Sequence, residues 1–180
     1  KYNLNYRFDG RDLEQKETFE DMKIGSIIGL LFIYFILAWV FKSWSRPFSI
    51  MIMIPFAFIG AVFGHYLLGL TMSILSMFAL LALAGIVVNN NIVLLDTYKS
   101  LRLKGENIRE AIIRTGAQRL RPVLLTTLTT FFGLIPMAIG LNINFLDGEI
   151  NFGSPSSQWW IQLSNAMVFG VMFSFILTLI

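Results

Sequence analysis

Apolar and polar positions divide this chain into five long uncharged stretches separated by short charged or turn-forming ones. Ile24–Phe41, Pro47–Leu70, Met72–Leu95, Pro122–Leu141 and Leu163–Ile180 run for 18 to 24 residues each without a Lys, Arg, Asp or Glu. At ~1.5 Å rise per residue, a helix of that length crosses the ~30 Å hydrocarbon core of a bilayer. The pattern predicts an all-α membrane protein, a helical transmembrane bundle of about five spans. Pro47 suits the first turn of the second span, and Pro55 interrupts that span. Between the third and fourth spans, Thr97–Arg121 is polar and basic. Asn107 there suits the N-cap of an amphipathic segment reaching Ala117, with Ile108, Ala111, Ile112 and Thr115 on one side. It is expected to lie on the cytoplasmic membrane surface.

The flanking pieces read differently. Lys1–Lys23 is polar, with an Asp9-Gly10 turn and a charged run of good helix formers, and reads as the stem of a soluble domain entering the first span. Residues 24–180 then form the transmembrane domain. Asn142–Ser157 reads as a polar loop with turns at Asp147-Gly148 and Ser154-Pro155, followed by a Trp159-Trp160 interface anchor.

Composition sharpens this picture. Hydrophobic residues make up 56% of the chain and mean hydropathy is +0.68, outside the balance of a soluble domain. The net charge of +3 conceals segregation, because 11 of the 25 charges fall in Lys1–Lys23 and most others in Asp96–Arg121. The two loops on one side carry Lys42, Arg46, Lys99, Arg102, Lys104, Arg109, Arg114, Arg119 and Arg121, while the opposite loop has Asp147 and Glu149 and no base. The positive-inside rule orients the basic loops to the cytoplasm and residues 1–23 outward. Without cysteine and with one histidine, the sequence offers no thiolate or His-cluster metal site, and its eight methionines form no ladder. It has no phosphate loop, paired carboxylates or base-activated nucleophile, so no enzyme is indicated. No nucleic-acid partner is indicated either. Lys1 is not a start methionine and Ile180 falls inside an apolar run, so the chain reads as a piece of a larger protein.

Candidate chemistry concentrates at polar residues inside the spans. Asn89, Asn90 and Asn91 are adjacent, sweep roughly 200° of helix surface, and carry carboxamides that cost about 1–3 kcal/mol each if left unpaired in hydrocarbon. They read either as interhelical hydrogen-bond glue or as the lining of a hydrated path for protons or ions. Asp96 reads as a solvated carboxylate at the helix end. Thr126, Thr127, Thr129 and Thr130 open the fourth span, where each hydroxyl can bond back along its own helix or serve a path. Counting ~1.5 Å per residue from the basic end puts Asn89 and Thr126 within roughly 6–9 Å of the same membrane face. Gly25/Gly29 and Gly60/Gly64 are small-residue pairs at helical spacing, suited to close packing. His65, near the outer end of its span, reads as structural, with a proton relay as the alternative. Arg119 and Arg121 alone read as snorkelling interface cations.

Five blocks in order carry a family likeness. They are Ser43-Trp44-Ser45-Arg46-Pro47-Phe48, Ile54-Pro55 with Gly60-Ala61, Gly85 through Asp96, Glu110-Ala111 with Arg119 through Thr127, and Gly133-Leu134-Ile135-Pro136. Across about residues 10–180 the chain resembles the second membrane half of resistance-nodulation-division (RND) efflux transporters of the hydrophobe/amphiphile type. The resemblance implies the last five of twelve spans, with residues 1–23 the tail of a periplasmic porter domain. It also implies a homotrimer in the bacterial inner membrane that exports drugs or other amphiphiles against protons. The proton gradient is its energy source, without cofactor, and its partners are a periplasmic adaptor, an outer-membrane channel and membrane lipid. In the family the proton-carrying aspartates belong to the first half. Asn89 falls where some members have a lysine that pairs with them, and Thr126 and Arg119 fall on proton-relay positions. Relatives that export lipid or metal or aid protein translocation, and a non-transporting scaffold, are the alternatives.

Overall fold

The computed structural model describes residues 10–144, 149–153 and 157–179. Its elements are α1 (Gly10–Phe41), α2 (Ser45–Met51), α3 (Met53–Leu68), α4 (Ile74–Leu103), α5 (Ile108–Ala138), β1 (Leu141–Asn144), β2 (Glu149–Phe152) and α6 (Ser157–Leu179). Five helical stretches are long and apolar enough to cross a membrane: Leu13–Phe41, Ser45–Leu68, Ile74–Leu103, Ile108–Ala138 and Ser157–Thr178. The all-helical, five-span architecture expected from hydropathy is therefore present. The turns expected at Asp147-Gly148 and Ser154-Pro155, residues 1–9 and Ile180 lie outside the described residues.

Four boundaries differ from the hydropathy reading. The second span is broken at Ile52, between α2 and α3. Pro55 has no N–H for the Met51 carbonyl and its ring presses on that group, so the break falls one turn before the proline. The amphipathic segment at 107–117 and the fourth span are one helix, α5, which runs unbroken through Pro122. Asn107 does hold the N-cap position, with extended backbone, but its side chain makes no capping bond. Helix α4 continues two turns past Asp96, and α6 begins at Ser157, so both tryptophans lie in its first turn. The segment after α5 is a β-hairpin rather than an irregular loop, pairing Leu141 with Phe152, Asn142 with Asn151 and Ile143 with Ile150.

Helix α6 is the post on which α3, α4 and α5 pack, while α1 leans chiefly on α2. One core joins Ala57 and Ala61 of α3, Ala79, Leu83 and Val87 of α4, and Ala166 and Val171 of α6. A second joins Leu37 and Phe41 of α1 to Ile50, Ile54, Ala84 and Val88. Alanine and glycine at i, i+3, i+4 and i+7 (Ala57, Gly60, Ala61, Gly64) give α3 a flat face. A Cβ added at Gly60 would run into Phe173, and one at Gly64 into Phe169. Gly25 and Gly29 of α1, by contrast, face open space.

Polar residues stitch the end of the bundle away from the basic loops. Ser73 caps α4, exchanging bonds with Ser76 in a capping box. His65 is buried and spans α3 and α4: in its neutral form Nδ1–H donates to the Ala61 carbonyl at 3.1 Å and Nε2 accepts from Ser76 Oγ at 2.8 Å. Asn165 of α6 donates to the carbonyl of Ala138, in the last turn of α5, at 3.1 Å. That carbonyl is one of the four a helix end leaves without an internal partner.

Two outcomes follow from this packing. Gly64→Val should destabilise the bundle by about 1–3 kcal/mol through overpacking against Phe169, whereas Gly25→Ala should be neutral or slightly stabilising; thermal loss of helical signal in detergent measures both. His65→Leu keeps bulk but removes the α3–α4 bond, and should cost about 1–3 kcal/mol in the same assay.

Candidate functional site

The three asparagines meet three environments, as a 100° step per residue requires. The packed face of α4 runs through Leu83, Ala84, Val87 and Val88 to Asn91, which is 9% exposed. The Asn91 amide donates to the Val87 carbonyl, one turn back, at 3.0 Å. This bond stays within α4, so Asn91 does not glue two helices through it. Asn89 lies on the uncovered face with Gly85 and Asp96, and Asn90 is half-buried between. Neither side chain bonds any other group among the described residues.

The threonines divide likewise. Thr126 is exposed, and its hydroxyl donates back to Val123 O at 2.9 Å and Pro122 O at 3.2 Å. Thr129 does the same towards Leu125 and Thr126. With the proton engaged in the helix, the Thr126 oxygen keeps its lone pairs for an outside donor. The packed stripe of α5 is instead Ala111, Thr115, Val123 and Thr127. Thr127 is fully enclosed, and its hydroxyl is without a partner among the described residues.

Arg119 is not a free surface cation. It is half-buried, and its Nε–H donates to Thr97 Oγ1 at 2.5 Å, while that hydroxyl donates to Val93 O at 2.9 Å. Thr97 is a functional candidate that hydropathy misses, because it lies beyond the apolar run. Only the extension of α4 past Asp96 brings it against α5. Arg119, Asn91, Tyr98 and Thr115 line one cavity of about 500 Å³, walled otherwise mostly by apolar side chains of α2 to α5. Below it, Glu106 pairs with Arg114, and the Arg102 guanidinium donates to the Glu106 carbonyl at 2.6 Å, closing the α4–α5 turn.

Four of the five residues singled out by sequence occupy two places, with the half-buried Asn90 between them. Asn91 and Arg119 share the cavity towards the basic end, whereas Asn89 and Thr126 present unclaimed polar capacity on uncovered faces of neighbouring helices. Among the described residues no three His, Cys, Asp or Glu side chains group as a metal site.

Comparison with known proteins bears on this arrangement. The model of the AcrB/AcrD/AcrF family matches residues 2–143. The swarming motility protein SwrC of Bacillus subtilis is 35% identical over 138 residues, 77% of this chain and 13% of that protein. The toluene efflux pump membrane transporter TtgB of Pseudomonas putida is 28% identical over 136 residues, 76% of this chain and 13% of that protein. The multidrug resistance protein MdtF of Escherichia coli is 33% identical over 113 residues, 62% of this chain and 11% of that protein. The chain spans about 13% of the length of such relatives. The family match stops at residue 143, short of the extent suggested by the motifs, so β2 and α6 lie beyond it. A match across most of the chain, on a bundle of membrane-length helices, makes this a multi-pass membrane protein of the AcrB/AcrD/AcrF family of RND transporters, and not an enzyme.

Proposed function

We propose that this chain is part of the second membrane half of a proton-driven inner-membrane transporter that exports drugs or other amphiphiles. The names of two relatives, one a toluene efflux pump and one a multidrug resistance protein, support the class of substrate. The observation that carries the proton role is the unbonded Asn89 amide on the uncovered face of α4, beside a helix whose Thr126 oxygen is equally unclaimed. In this reading the family's aspartates arrive from the other membrane half and meet both groups.

The chemistry of the two groups differs in a useful way. An amide N–H donates to an ionised carboxylate, whereas a threonine oxygen whose own proton is engaged accepts from a protonated carboxyl. Asn89 therefore favours the ionised acid and Thr126 the neutral one. Protonation shifts the acid's partner from α4 to α5, which gives the bundle two packings, and a periplasmic porter domain can use that difference. Asn89 is uncharged, so it orients the carboxylate without neutralising it. Arg119, held by Thr97, sets a fixed positive charge at the cavity that leads from the basic end, the cytoplasmic side in this reading. Residues 1–23 are then periplasmic, and the working unit is a homotrimer with an adaptor and an outer-membrane channel.

In the full-length protein, Asn89→Leu or Thr126→Ala should each lower proton-coupled transport about 10-fold, the equivalent of one hydrogen bond of roughly 1.4 kcal/mol. Trimer assembly by size exclusion should be unchanged, and wild-type transport in both variants would overturn the reading. Asn89→Lys sets a cation beside the acid and favours its ionised form, so a lower pH is needed to protonate it. The pH profile of transport in proteoliposomes should move to the acid side by about 1 unit or more. An unmoved profile would mean that Asn89 does not touch the carboxylate.

A further inference from the structure

The β1–β2 hairpin reaches past the end of the family match, so nothing in that likeness explains it. Residues opposite one another across an antiparallel pair share a face, and successive residues alternate. Leu141, Ile143, Ile150 and Phe152 therefore make one face, and Asn142 and Asn151 belong to the other. Beyond the half-buried Leu141 the apolar face is uncovered: Ile143 is 45% exposed, Ile150 62% and Phe152 68%. A lone two-stranded hairpin is marginal in water, and one with a bare apolar face more so.

Its position bears on what covers that face. The strands leave the bundle within a few residues of two membrane-length helices, α5 ending at Ala138 and α6 beginning at Ser157. Their root is locked. Gly153 N–H donates to Gly140 O at 3.0 Å, both glycines have positive φ, and a Cβ on Gly140 would meet Ile161 of α6. The hairpin thus starts from a rigid base at the level of the helix ends. Trp159 and Trp160 stand at the same level, 66% and 51% exposed, and indoles settle in the headgroup region of a bilayer. The four apolar residues carry no charge and lie between the ends of two membrane-length helices, α5 and α6.

We propose that this hairpin is a lipid-interface anchor. Its apolar face rests on the hydrocarbon boundary of the leaflet opposite the basic loops, with Asn142 and Asn151 turned to headgroups and water. Lipid, rather than a protein partner, is the occupant. The anchor sets the depth of α5 and α6, whatever the bundle transports.

Site-directed spin labelling tests this in the full-length protein, on a cysteine-free background, in vesicles of phosphatidylethanolamine and phosphatidylglycerol. Labels at Ile150→Cys and Asn151→Cys are compared for collision with oxygen, which partitions into lipid, and with a water-soluble nickel chelate. At position 150 oxygen should dominate several-fold over the chelate, and at 151 the order should reverse. Chelate access at both positions would make the hairpin a solvated loop and overturn the proposal. Protection of position 150 from both reagents would mean that protein covers the face, and would overturn it equally. Ile143→Cys, on the same face, gives the same reading if the Ile150 variant does not fold.

Discussion

The bundle rests on how closely α6 approaches α3. Between apolar helices in lipid there is no hydrophobic drive to associate, so the attraction is van der Waals contact, which falls off steeply with separation. Gly60, Gly64 and Gly170 remove the side chains that would hold the backbones apart. Phe169 and Phe173 then fill the space against α3, and Leu83 of α4 reaches Gly170. Because α4 and α5 also seat on α6, the position of each polar residue on those helices follows from that one contact.

Polar groups inside this packing are mostly paired, and the pattern of pairing separates scaffold from site. His65–Ser76 and Asn165–Ala138 join different helices and hold the end away from the basic loops. Asn91 and Thr126 spend their donated protons along their own helices, Thr126 keeping its oxygen's lone pairs free. Among the described residues, Asn89, Asn90 and the Thr127 hydroxyl are without such bonds, all within the middle of α4 and α5. Unspent hydrogen-bonding capacity costs stability in hydrocarbon unless another group claims it. Its concentration there is the physical basis for treating that region as a site rather than as packing.

The five helices are legible from hydropathy because an uncharged run of about 20 residues has few alternatives in lipid. Helix ends are not. The last two turns of α4 and the first turn of α6 are held by backbone bonds that hydropathy does not register. Polar or aromatic residues there therefore resemble loop. Pro122 resembles a helix start, yet it costs α5 only one internal bond, to the exposed Gln118 carbonyl. The alternation in Leu141–Asn144 and Glu149–Phe152 is visible, but runs of four residues that include asparagine are too short to stand out as strands. At the site, residue types are legible and directions are not. Asn89 and Asn91 are chemically identical, and only the packing of α4 decides which of them is enclosed. Arg119 finds Thr97 solely because α4 runs on.

The unbroken course of α5 has a mechanical side. Its 31 residues make a rod about 46 Å long, joined at one end to the ion-paired turn after α4 and at the other to the hairpin. A rod pivoting at one end by about 5° carries its far end about 4 Å, roughly three-quarters of a helical turn. Two short helices joined at Pro122 would absorb that rotation at the joint. A single one turns a small rearrangement around Thr126 into a stroke at the membrane surface.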